Sequence, residues 1–301
     1  MAWVLIGVVA GFLIPWQTVA NNRLRMSTGT PFSASMISFA VGTLGLLLAT
    51  LAAGSLGALS SAVQLPAWMW LGGALGVVAL TGNILLFPRL GAVETVVLPT
   101  AGQILMGLFI DQFGWFQAPE SHLTPLRALG AAVVMAGVLV TVGKPPAPSA
   151  STSAGGEALW KWRLAGVIFG ALLASQSAIN GQLGKAVGTW LVAALISFSV
   201  GTALLVLINV VLRWRPRVNR VDPQLANPWW MWLGGLIGAA FVGTNAALAP
   251  VIGTGLTVMA GLAGLMGGSL AVDRAFGKRI RRRQIIGVLT ILSGVAVMRL
   301  L

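Results

Sequence analysis

Apolar residues run along this chain in blocks of about 20, separated by short stretches where charge, proline and glycine collect. In the first half the blocks fall near 3–21, 32–53, 68–87, 92–111 and 124–142. In the second half they fall near 164–182, 190–212, 229–249, 254–272 and 284–301. Each block is long enough to cross about 30 Å of hydrocarbon as a helix, and none alternates apolar and polar residues as a barrel strand would. The pattern predicts an all-α integral membrane protein with ten transmembrane helices. Between the two sets of five, Gly143 to Gly156 is rich in Pro, Ser, Ala and Thr, cannot bury itself, and reads as a flexible linker. The expected organisation is a first five-helix repeat over 1–142, a linker over 143–160 and a second repeat over 161–301.

The two sets are copies. Residues 7–43 align with 166–202 at a constant spacing of 159, and 16 of the 37 positions are identical. Gly7, Gly11, Gln17, Asn21, Ser38, Phe39, Gly42 and Thr43 recur as Gly166, Gly170, Gln176, Asn180, Ser197, Phe198, Gly201 and Thr202. A repeat with five crossings starts on one side of the membrane and ends on the other, so its copy inserts upside down. The halves are then related by a pseudo-two-fold axis in the membrane plane, the plan of many secondary transporters.

Composition narrows the class. The chain is 57% hydrophobic and 8% charged, with a mean hydropathy of +0.90. A soluble domain carries about 25% charged residues, so this chain cannot cover a water-facing surface. It has no Cys, one His (His122, in a polar stretch with Glu120) and no G-x-x-x-x-G-K-[ST] loop. Thiol chemistry and metal binding by Cys are therefore excluded, and neither a cofactor nor a metal is expected. The net charge of +13 resides in segments between the apolar blocks, where it orients the chain and meets anionic lipid; nucleic acid is not an expected partner. Connections after odd-numbered helices hold 16 of the 19 basic residues, and only Arg127, Lys185 and Arg299 lie on the other side. The positive-inside rule then puts the odd connections and the linker in the cytoplasm and both termini outside. Thr18-Val19-Ala20 resembles a cleavage site, but no basic run precedes it and the segment recurs in mid-chain, so the first span is expected to be retained.

Polar residues within the spans are the candidate chemistry. Gln17 and Asn21 share a helix face, as do Gln176 and Asn180; such groups either line a cavity or bond between helices. Trp16, whose counterpart is Ser175, is a candidate cavity wall. Asn83 and Asn245 hold equivalent places, five residues before Pro88 and Pro250, where a helix stops or bends. Glu94 lies well inside an apolar run, and its counterpart is Leu256. It could exchange a proton or hold a coupling ion; the favoured account places it in the first turn of a helix after Gly91, with Arg89 close by. Asp111 and Asp273 close the fourth and ninth helices, with salt bridging or loop fixation expected for Asp273. Gly7/Gly11, Gly166/Gly170, Gly72/Gly76 and Gly234/Gly238 are small-xxx-small pairs expected to pack helices closely. Trp68, Trp70, Trp160, Trp162, Trp229, Trp230 and Trp232 flank span ends as interfacial anchors.

These residues carry a resemblance. The Gly-rich first helix ending in Gln17 and Asn21, Ser38-Phe39-x-Val41-Gly42-Thr43, and Gly102-Gln103 with Asp111-x-Phe113-Gly114 resemble the YdcZ-type branch of the drug/metabolite transporter superfamily, here in a fused two-repeat form. The first two elements recur in the second half. The resemblance implies a ten-helix inverted-repeat fold of the EamA-like kind, a central cavity, and alternating access for small organic solutes, commonly export from the plasma membrane. Two features depart from it. Leu265 stands where the Gln103 pattern predicts Gln, and both termini are placed outside where ten-helix relatives are drawn with them inside.

The expected protein is a carrier of a small organic solute and not an enzyme. Its substrate-binding candidates are Trp16, Gln17, Asn21, Asn83, Gln103, Gln176, Asn180 and Asn245, with Glu94 as the candidate coupling group. A homodimer is left open. A lipid-modifying membrane enzyme would need clustered acids and bases that the chain lacks. A scaffold or sensor subunit would leave the paired polar positions without a purpose.

Overall fold

A computed structural model describes residues 2–118, 120, 122–142, 159–222, 225–252 and 254–300, and their side chains except those of 246, 247, 249–251, 254–256, 299 and 300. The connector 143–158, and the side chains of Pro250, Leu256 and Arg299, lie outside that set. The helices are α1 (Ala2–Thr28), α2 (Pro31–Ala52), the short α3 (Leu59–Ala62), α4 (Leu71–Phe113), α5 (Pro125–Val142), α6 (Leu159–Val187), α7 (Trp190–Val211), α8 (Gly234–Ile252), α9 (Thr254–Ala275) and α10 (Arg282–Leu300). Among the described residues, α1, α2, α4, α5, α6 and α7 are each long and apolar enough to cross a membrane. The β pairing among the described residues amounts to a bridge between Asp222 and Leu225.

Local chemistry sets the helix ends. Gly29, at φ +84°, turns the chain after α1. Thr30 then accepts a hydrogen bond from the Ser33 amide (3.0 Å), and Pro31 occupies the first turn of α2, where its missing N–H is harmless. The Trp-rich entries to α4 and α8, Ala67–Trp70 and Trp229–Leu233, are 3-10 turns, so both spans begin as α-helix slightly later than the apolar pattern predicts.

The two spans that the pattern predicts over 68–87 and 92–111 follow one another in α4 without an intervening loop. The axis nevertheless breaks at Gly91 (φ +78°, ψ 177°), giving a first arm over 71–90 and a second over 92–113. Pro88 was the expected stop; it stays within the helix, and the break comes three residues later at the glycine, because a φ of +78° is open to Gly and strained for other residues.

Helix partners come from opposite ends of the sequence. α1 packs on α8 and α9, α6 packs on both arms of α4, α2 crosses α7, and α5 lies along α10. Gly130 is pressed against the Gly294 carbonyl and Gly137 against that of Gly287, so α5 and α10 run antiparallel. α2 and α7 do so as well: Asn209 donates to the Phe32 carbonyl (3.2 Å) while Leu46 packs with Ala194 and Leu195. At the α2–α7 crossing, equivalent residues of the two copies touch each other. The Phe39 and Phe198 rings lie 5.0 Å apart and the Thr43 and Thr202 hydroxyls 2.9 Å apart. The largest apolar core joins the second arm of α4 to α5, α9 and α10 through Val93, Val97, Val134, Val138, Met266 and Ile291.

Candidate substrate pathway

The four paired amides lie in two separate helix interfaces. On α1, Gln17 and Asn21 rest on Gly238 and Gly234 of α8; on α6, Gln176 and Asn180 rest on Gly76 and Gly72 of α4. A methyl group at Gly238 would come within 2.6 Å of Gln17 Nε2, and one at Gly76 within 2.6 Å of Gln176 Nε2. Two of the glycine pairs expected to pack helices closely thus serve as seats for amides. Gly11 meets the Gly261 backbone, and Gly170 that of Pro99, in the same tight manner.

The two copies differ in how the innermost amide bonds. Asn180 Nδ2 donates to Ser197 Oγ (3.2 Å). Asn21 and Ser38, the equivalents at the same spacing, are both buried, yet neither amide atom of Asn21 nor the Ser38 hydroxyl has a partner among the described residues. Such groups are costly in an apolar interior, about 1–3 kcal/mol each.

Gln17, Asn83, Gln103, Gln176 and Asn245 are half-buried, and their side chains make no hydrogen bond among the described residues. Asn83 Oδ1 is fully buried and has no partner among the described residues, and the same holds for Thr95 Oγ1. Thr95 carries no sequence signal, since threonine is unremarked in an apolar helix. An apolar groove of about 330 Å³ runs between α1 and α8, lined by Leu5, Ile6, Val9, Leu13, Ile237 and Phe241. Gln17 follows Leu13 one turn further along α1.

Charge gathers at the break in α4. Glu94 lies in the first turn of the second arm, and its ion-pair partner is Arg163 of α6. Arg163 Nε donates to Oε2 (3.0 Å) and Nη2 to Oε1 (3.1 Å), with Nη2 also 3.4 Å from the Val142 carbonyl. The two side chains are 18% and 15% exposed, so the pair is largely desolvated. Arg89 belongs to the arm before the break, and its guanidinium stacks over Trp162 at 3.8 Å. That Trp, expected as an interfacial anchor, serves here as a platform.

Asp273, at the end of α9, accepts from the Ala92 amide (2.9 Å) and the Val93 amide (3.3 Å), and lies 3.3 Å from Lys278 Nζ. It therefore caps the orphan amides that the Gly91 break creates, from a helix of the other copy. Trp16 closes this end, packing with Val19, Phe87, Ala92 and Val272. At the opposite end of the second arm, Asp111 accepts from Arg127. His122 is exposed beside Gln112.

A family model described as "Putative inner membrane exporter, YdcZ" matches the sequence over residues 2–140 and again over 161–297. No curated protein matches it. One solved structure, named only as "Crystal structure of protein", superposes with a TM-score of 0.62 at 20% identity, covering 99% of this chain and 96% of its own. That likeness concerns the fold alone.

Proposed function

Since the chain belongs to the YdcZ family of drug/metabolite transporters, multi-pass proteins of the inner membrane, we propose that it exports a small organic solute by alternating access between two inverted five-helix halves. In this arrangement the two arms of α4 count as separate spans, giving ten. The odd connections and the linker lie in the cytoplasm and both termini outside, as the distribution of Lys and Arg favours. The antiparallel packing of α2 on α7 and of α5 on α10 supports inversion, because an inverted copy must oppose its original in direction.

The observation that carries the transport site is the set of uncommitted amides. Gln17, Asn83, Gln103, Gln176 and Asn245 sit half-buried on α1, α4, α6 and α8, their side-chain donors and acceptors unused among the described residues. Groups with spare hydrogen bonds inside an apolar bundle suit a neutral polar or weakly charged ligand, while the apolar groove along α1 suits the hydrophobic part of an amphipathic one. Asn21, fully buried against Gly234, and Asn180, bonded to Ser197, instead set the α1–α8 and α6–α4 spacing. Trp16 closes the cytoplasmic end, and the Glu94–Arg163 pair locks it, so Glu94 couples transport through the breaking of that pair.

The test is flux in proteoliposomes against a library of amphipathic and zwitterionic metabolites. Gln17→Ala and Gln176→Ala should each lower flux of the active compound by about tenfold, the loss of one good hydrogen bond. Flux unaltered in both variants would remove these amides from the site; no flux for any compound would count against transport by the chain alone.

A further inference from the structure

We propose that the segment after α7 forms a binding site for the phosphate of an anionic glycerophospholipid. A cavity of about 490 Å³ opens there, lined by Thr28, Arg213, Trp214, Arg215, Arg217 and Asn219. Three of its six lining residues are cations, none is a carboxylate, and none of the three guanidiniums is paired among the described residues. A phosphodiester offers the oxygens that guanidinium groups bind best.

The cavity has an ordered frame. Trp214 Nε1 donates to the Thr28 carbonyl (3.0 Å), the Asn219 amide to the Ser27 carbonyl (2.9 Å), and the Trp214 amide to the Asn209 carbonyl (2.9 Å). These bonds pin the segment across the end of α1, so the arginines extend from a fixed platform.

Comparison of the two copies shows that the turn does not need the cations. The position equivalent to Arg213 is Gly54, and both are left-handed, with φ +52° and +65°. Glycine adopts that conformation without strain and arginine does not. Arg215 and Arg217 correspond to Leu56 and Ala58. The first copy therefore makes the same exit from its helix with no charge at all. Arginine at position 213 works against its backbone, which leaves its side chain as the reason for its presence.

A lipid is favoured over a free anion by what adjoins the cavity. The last turn of α7 exposes Val210 (66%), Val211 (70%) and Leu212 (55%) immediately before Arg213. Acyl chains along this apolar end bring a phosphate to the height of the arginines, where each cation strengthens binding to anionic lipid.

The experiment uses the full chain, stripped of lipid in detergent and returned to vesicles of phosphatidylcholine with or without phosphatidylglycerol. Lipid retained per protein is then counted by native mass spectrometry. Wild type should retain phosphatidylglycerol over phosphatidylcholine, and Arg213→Gly and Arg215→Gln/Arg217→Gln should weaken retention by about fivefold for each arginine removed. Arg213→Gly relieves backbone strain, so it should unfold no earlier than wild type, which separates lost binding from lost folding. Arg279→Gln/Arg281→Gln, the same loss of charge as Arg215→Gln/Arg217→Gln but at another site, should leave retention unchanged. An equal loss in that control, or no preference for the anionic lipid, would overturn the site. So would displacement of the lipid by inorganic phosphate at concentrations that bind wild type without lipid, which would make it a free-anion site.

Discussion

At Gly72 and Gly234 the packing leaves no space for a methyl group, because an asparagine oxygen from the facing helix already occupies it. Polar groups and glycines are thus used together: the glycine admits the amide, and the amide fixes how near the helices stand. Gly72→Ala should lower stability by up to about 2 kcal/mol, since overpacking of about 1–3 kcal/mol is only partly offset by alanine's helix advantage of about 1 kcal/mol. Gly107 on the same helix faces open space, so Gly107→Ala should be neutral or slightly stabilising. Thermal unfolding in detergent reads both, and equal shifts would show that the seats do not matter. The hydroxyls give a second contrast. Ser197→Ala removes a bond of about 0.6–1.7 kcal/mol, whereas Ser38→Ala removes a buried group that has no partner and should be neutral or stabilising. Equal losses in the two variants would mean that the copies do not differ there.

The helical segments were legible in the sequence because lipid leaves the backbone few alternatives to a helix, so length and apolarity nearly suffice to find them. What joins them was less so. Gly91 was noted only as a neighbour of Glu94, yet it decides where α4 breaks. Arg89, five residues before Glu94 and across the break, stacks on Trp162, and the ion-pair partner of Glu94 comes from α6, which no local spacing points to. Salt bridging or loop fixation is the expected role of Asp273, and it does pair with Lys278, but its two amide partners lie about 180 residues earlier, beyond the reach of any local pattern. The uncommitted state of Gln103 or Asn245 is likewise a property of neighbours, not of spacing. These cross-copy bonds make one end of the bundle an element-scale lock. Glu94→Gln and Arg163→Gln should each cost about 1.5–3 kcal/mol, and the double variant little more than either alone. Additive losses would show that the pair does not hold that end. Gly91→Ala should cost about 1–3 kcal/mol for its backbone, with the exposed Lys278 ammonium able to move aside, whereas Asp273→Asn, which keeps an acceptor for the freed amides, should be the milder change.

For the whole molecule, the contacts at the α2–α7 crossing say more about symmetry than the sequence identities do. Similar segments can arise in parallel or inverted copies alike, but Phe39 touches Phe198 and Thr43 touches Thr202, each residue meeting its own counterpart on a helix that runs the other way. Self-contact of this kind is what a two-fold axis between the copies produces, as in an isologous interface. The chain has no native cysteine, so introduced thiols report without background. Thr43→Cys/Thr202→Cys should cross-link within one chain under mild oxidation, given the 2.9 Å between the hydroxyls they replace. A thiol at position 1 and one within 145–153 should react with a membrane-impermeant reagent from opposite faces of the membrane, because the proposed topology puts five crossings between them. Labelling of both from one face would require an even number of crossings in the first copy. The second copy would then insert parallel to the first, and the α2–α7 contact would need an origin other than inversion.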